Sequence, residues 1–143
     1  MAETKRTTLE QGRAAFAYTC AENASKSLGK PKEYKAYVKK MPMLIKTNGL
    51  GAAIAFAFSK GSKNGVPQAN TPWGLIYTQI ENWLLEGDEK GLISFEKTKL
   101  AQKLTQVESY TYRAVTVEVL AFFGWLRRFA EGLIEGETND PNN

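Results

Sequence analysis

Seven apolar or aromatic residues near the C-terminus step by three and four: Tyr112, Val115, Val119, Phe122, Leu126, Phe129 and Leu133. That spacing is one face of a helix over two heptads and a half-turn, and a strand, with its period of two, cannot use it. Leu120, Phe123 and Trp125 widen the stripe beyond a coiled-coil seam into a surface that faces a core. Such a face must be covered. No strand-like alternation and no internal repeat occur elsewhere in the chain, so other helices are expected to cover it. The expectation is an all-α fold: a single compact bundle of about six helices over residues 1–137, followed by a polar tail, 138–143, expected to be disordered.

The other helices have their own signals. Thr7 and Glu10 have capping-box spacing ahead of a stripe of Leu9, Phe16, Cys20, Ala24 and Leu28. Gly29-Lys30-Pro31 stops that helix. A second helix is expected from Lys32 to Met41, with Tyr34, Tyr37, Val38 and Met41 on one face and Lys32, Lys35 and Lys39 on the opposite one. Pro42 lacks a donor and suits a first helical position, so a break or kink is expected there, with a third helix running to about Ser59. Asn48-Gly49 either lies within that helix or caps a new one. Gly49 and Gly51 each cost a helix about 1 kcal/mol relative to alanine, which predicts a close approach by another backbone or a ligand. Residues 60–70 are a polar loop. Thr71-Pro72 caps a fourth helix carrying Trp73, Ile76, Ile80 and Trp83, and Gly87 ends it. Residues 88–91 read as a turn, and a short helix is expected from Phe95 to Leu104.

Charge is distributed unevenly. Residues 26–63 contain nine lysines and one acid, Glu33, a net of +8 within a chain of net +4. Such a block is a footprint for a polyanion or for an acidic protein surface, although a lysine-rich face can also be merely solvated. The chain has no histidine. That removes Ser-His and Cys-His nucleophile pairs and zinc sites built on Cys and His. Cys20, the one cysteine, lies on an apolar stripe and reads as a small buried hydrophobe. No phosphate-cradling glycine motif, metal cluster or cofactor motif is present, and no apolar run approaches the roughly 20 residues of a membrane span. The expectation is a cytoplasmic, non-catalytic protein with no cofactor.

Lysines are point charges suited to a phosphate backbone rather than to reading bases. Arg113 and Arg127 share one side of the last helix, with Arg128 further round; salt bridges to Glu118 or Glu131 explain them as well as a binding role does. Trp125 has the chemistry to stack a base, but a tryptophan flanking an apolar seam belongs more often to the core.

Two segments resemble the small helical subunit of the type III-B CRISPR effector, the Cmr ribonucleoprotein complex. One is Tyr37-Val-Lys-Lys-x-Pro42-x-x-Ile45-Lys-x-Asn48-Gly-Leu-x-x-Ala53-x-Ala-Phe56. The other is Tyr112-Arg-Ala-x-Thr116-x-Glu118-Val-Leu-Ala-Phe122-x-x-Trp125-Leu-Arg-Arg-Phe-Ala-Glu131. With the first helix and the Trp83 helix between them, the likeness spans most of the chain. The resemblance implies a subunit in antiviral defence without catalytic activity, stacked beside copies of itself and other Cmr subunits. It also implies a basic surface on the backbone of guide and target RNA, with cleavage left to another subunit. The basic positions inside the matching segments are Lys39, Lys40, Lys46, Arg127 and Arg128, and their assignment to RNA phosphates follows from charge. Asn48 and Gly49 are expected to be structural, as a buried polar contact and a close approach. The rival expectation is a protein–protein adaptor whose basic face docks an acidic partner. A nuclease using Lys and Glu is a third.

Overall fold

The first two helices pack directly on the last one. A computed structural model describes the backbone of residues 2–87, 93 and 99–136, with side chains over 9–85, 93 and 99–136. The expected turn at 88–91, the first residues of the 95–104 helix and the 138–143 tail lie outside these. Helix α6, Ser109–Leu133, buries Val115, Val119, Phe122, Phe123, Leu126 and Ala130 and packs along α1, Ala2–Ser27, and α2, Pro31–Asn48. Helix α3, Leu50–Gly61, packs on α4, Pro72–Asn82. A short α5, Leu100–Lys103, closes against α3. The architecture is the expected all-α bundle.

Helix α1 starts at Ala2, so Thr7 and Glu10 lie within it and not at its start. Its buried stripe contains Cys20, Ala24 and Leu28 as expected, together with Ala17 and Ala21. Burial pushes the Cys20 thiol up to about 12, which suppresses the thiolate that any nucleophilic role needs.

The break expected at Pro42 falls instead at Gly49. Helix α2 continues through Pro42. A proline forfeits one backbone hydrogen bond, and burial of Tyr34, Val38, Met41 and Ile45 on the neighbouring face outweighs that loss. At Gly49 the chain takes φ 92°, which side chains rarely adopt. Its N–H donates to Ile45 O at 2.8 Å and its carbonyl accepts from Ala53 N at 3.1 Å. One residue therefore ends α2 and begins α3. Asn48 is exposed, not a buried polar contact. What approaches these glycines is a side chain: the Tyr112 hydroxyl accepts from Gly51 N at 2.7 Å.

The loop at 60–70 contains a small antiparallel hairpin, β1 Ser62–Lys63 against β2 Val66–Pro67. Asn64 and Gly65 both have positive φ, 53° and 80°, the requirement of a two-residue type I′ turn. The hairpin signal lay in Asn64-Gly65, and strands of two residues are too short to show alternation. Thr71 caps α4 as expected, its hydroxyl accepting from Gly74 N at 3.2 Å. A π-helical turn, Trp83–Gly87, follows α4. It leaves the Trp83 indole buried between Phe16 and Phe122, stacked on Phe122 with centroids 5.8 Å apart.

Candidate nucleic-acid interface

Helices α2 and α6 lie antiparallel, and their shared edge carries the cations. By helical arithmetic Lys35, Lys39, Pro42 and Lys46 share one flank of α2. Each meets α6 in turn. The Lys35 ammonium donates to the carbonyls of Ile134, at 3.1 Å, and Gly136, at 2.7 Å. A cation there caps the negative end of the helix dipole. Lys39 Nζ lies 3.9 Å from Glu131 Oε1. Beyond them Lys46 joins Arg127 and Arg128 around a shallow cleft of about 240 Å³, whose other lining residues are Pro42, Leu120, Phe123 and Gly124. Lys32, Lys35 and Lys39 were expected on a face opposite the core. Lys35 and Lys39 are instead half-buried along this edge, and of the three only Lys32 is exposed.

The structure thus brings three of the five sequence-nominated cations to one place. Lys46, Arg127 and Arg128 are exposed, and among the described residues no carboxylate lines the cleft with them. Among the described residues neither arginine is held in an ion pair. Lys39 sits at one end of the row, paired with Glu131. Lys40 is exposed but turned about 100° further round α2, and it does not line the cleft. Arg113 is exposed at the other end of α6.

The carboxylate proposed as a partner for the arginines behaves differently. Glu118 is buried, and Arg13 of α1 grips it with two hydrogen bonds, Nε to Oε2 at 2.7 Å and Nη2 to Oε1 at 2.9 Å. The Trp83 indole N–H donates to the same Oε2 at 3.0 Å. This network ties α1, the turn after α4 and α6 together beneath the surface. Sequence reasoning missed it, although Glu118 stands three residues after Val115 and four before Phe122, on the apolar face. Removing Glu118 from the surface leaves the arginines near the cleft without that neutralising partner. Trp125 is half-buried and stacked on Phe129 with centroids 5.9 Å apart, packed against the core as its position on the seam predicted.

Tyr34 and Gln79, also in the interior, are satisfied locally. The Tyr34 hydroxyl donates to Gln79 Oε1 at 2.5 Å, and Gln79 Nε2 donates to Cys20 O at 3.0 Å. Burial holds the Tyr34 phenol well above its ordinary value. None of these groups reaches the cleft. Among the described residues no cluster of three or more His, Cys, Asp or Glu could hold a metal ion, and no helix is long and apolar enough to cross a membrane.

Comparison with known proteins places the chain in a family. Residues 9–133 match the family model described as CRISPR-associated protein (Cas_Cmr5). A curated relative, the CRISPR system Cmr subunit Cmr5 of Thermus thermophilus, is 30% identical over 122 residues, covering 85% of this chain and 92% of the relative. A crystal structure of a CRISPR-associated Cmr5 family protein from the same organism superposes with a TM-score of 0.65 at 29% identity, covering 89% of this chain and 98% of that one. The matched region holds both segments that resembled the small Cmr subunit, the buried Glu118 network and the cationic cleft: the chain belongs to the CRISPR-associated Cmr5 family.

Proposed function

We propose that this chain is a non-catalytic subunit of a cytoplasmic Cmr effector, holding the backbone of guide and target RNA along the α2–α6 edge. The observation that carries the reading is the convergence of Lys46, Arg127 and Arg128 on one cleft that, among the described residues, no carboxylate lines. Arginine forks and lysine point charges match phosphate oxygens without reading sequence. At about 240 Å³ the cleft falls short of the roughly 300–1,000 Å³ of pockets that enclose small substrates. An open, shallow site suits a strand passing over it. Lys39 extends the row toward the C-terminal end of α6, and Lys40 continues the charge onto the outer face of α2. Copies of the chain and other Cmr subunits stack beside it, so affinity in the assembly exceeds that of one short patch.

The test is RNA binding against salt, in the isolated chain and in the assembled complex. Lys46→Glu with Arg127→Glu is expected to weaken binding uniformly across sequences. It should also flatten the slope of log affinity against log salt by about 1.4, at roughly 0.7 per phosphate contact on a single strand. An unchanged slope removes the cleft from RNA binding. If, in addition, the partner subunits stay bound after nuclease treatment in the native protein and are lost in the double variant, the basic edge is an adaptor surface for an acidic protein.

A further inference from the structure

A second surface lies on the other flank of α2. Tyr37 and Lys46 are nine residues apart, a net half-turn around the helix, so Tyr37 faces away from the cleft. There its ring stacks on Trp73 of α4, with centroids 4.4 Å apart and planes 10° from parallel. Phe56 of α3 meets Trp73 edge to face, at 5.1 Å and 86°. Lys60 Nζ sits 5.8 Å from the centroid of the Phe56 ring, within cation–π range.

Three aromatic rings from three helices thus form one group at the surface. Phe56 is 40% exposed and lies outside the hydrophobic core, whereas Tyr37 and Trp73 pack against its margin. Gly61 ends the helix that carries Phe56 and Gly74 follows Trp73, and their backbones fit closely against each other. Lys60, over the Phe56 ring, is exposed, as are Lys63 on the hairpin and Lys40, one turn beyond Tyr37. The nearest acid in sequence is Glu33, one turn before Tyr37 and also exposed.

We infer that Tyr37, Phe56 and Trp73 form a stacking site for unpaired nucleobases, separate from the phosphate cleft. Flat aromatic faces bordered by lysines are what binds single strands with little sequence preference, since every base has a π-face. The exposed face of Phe56 receives a base. The Lys60 ammonium, which otherwise rests over that ring, moves to the adjoining phosphate. An acidic peptide would use the lysines but leave the rings without a partner. The inference shares with the cleft reading only the choice of RNA as ligand.

The experiment compares two strands on the full chain at low salt, where the phosphate contribution is largest. One is oligouridylate and the other is an abasic ribose-phosphate strand of equal length. The native chain is expected to prefer oligouridylate by on the order of tenfold, the size of one base–aromatic stack. Phe56→Ala should abolish the preference while leaving the salt slope unchanged, and Phe56→Tyr should keep it. The Lys46→Glu, Arg127→Glu variant should change the slope and keep the preference, so failure of the cleft reads differently from failure of the stack. Equal binding of the two strands by the native chain, no binding of either, or a preference that survives Phe56→Ala overturns the inference. Loss of assembly with an acidic subunit on Phe56→Ala, with strand preference absent, also overturns it and assigns the surface to a protein.

Discussion

Gly61 and Gly74 approach so closely that neither can carry a side chain. A Cβ built on Gly61 would overlap Gly74 N, and one built on Gly74 would overlap Gln68 O. Both obstacles are backbone, which cannot swing aside as a lysine stem can. The contact sets the seating of α3 on α4, and with it the placement of Phe56 beside Trp73.

Gly61→Ala is therefore expected to destabilise the fold by about 3 kcal/mol, the upper part of the range for forced overpacking. Gly124, in the middle of α6, makes the opposite case. A Cβ there meets nothing within 4 Å, and Gly124→Ala should stabilise the helix by about 1 kcal/mol. Thermal or denaturant unfolding of the two variants checks both signs. Equal effects would show that the Gly61–Gly74 contact does not constrain the fold.

The Arg13–Glu118 pair gives the second prediction. Arg13→Met removes the charge that neutralises a buried carboxylate and leaves Glu118 with the Trp83 indole. Breaking a buried pair from one side costs about 3–5 kcal/mol. Replacing both partners, Arg13→Met with Glu118→Met, should recover much of that loss, since the uncompensated charge is then gone. A double-mutant cycle on urea midpoints measures it. Additive losses would mean that the pair contributes by packing alone.

Cys20 links stability to alkaline pH. Its thiol titrates from about 12 in the folded chain against 9.0 ordinarily, because burial disfavours the thiolate. The folded pKa is raised, so this contribution is complete below pH 9 and declines as pH rises from 9 towards 12. Within that window the unfolded chain has lost a proton that the folded chain retains, and the slope is about −1.4 kcal/mol per pH unit for one group. Burial raises the Tyr34 phenol in the same sense, from an ordinary value of 10.0. Cys20→Ala should flatten the decline between about pH 9 and 10, where the tyrosine has barely begun to contribute. A thiol reagent should modify native Cys20 only at the rate of unfolding. Fast modification of folded protein would contradict its burial.

The extent to which the chain could be read in advance depended on the range of the interaction involved. The three-and-four stripe on α6, the Thr71-Pro72 cap of α4 and the burial of Cys20 all depend on residues within a turn or two, and these were legible from the chain alone. The helix boundary between α2 and α3 was legible only as one of two alternatives at Asn48-Gly49. Pro42 is the stronger local breaker, but burial of one face of α2 carries the helix past it, and Gly49 takes a turn that a side chain would resist. The basic character of residues 26–63 was equally plain, but not which cations act together. Lys39 and Lys40 are neighbours in sequence and lie about 100° apart on the helix, while Lys46 and Arg127 lie far apart in sequence and line the same cleft.

Local spacing and composition therefore determined that this chain is a helical bundle with a cationic middle and no histidine chemistry. The tertiary structure alone decided where Glu118 goes, which lysine is held by Glu131, and which three aromatic rings meet at the surface. The physical reason is that burial and ion pairing are properties of neighbours in space. Antiparallel packing of α2 on α6, and the approach of Gly61 to Gly74, bring together residues that no local pattern relates.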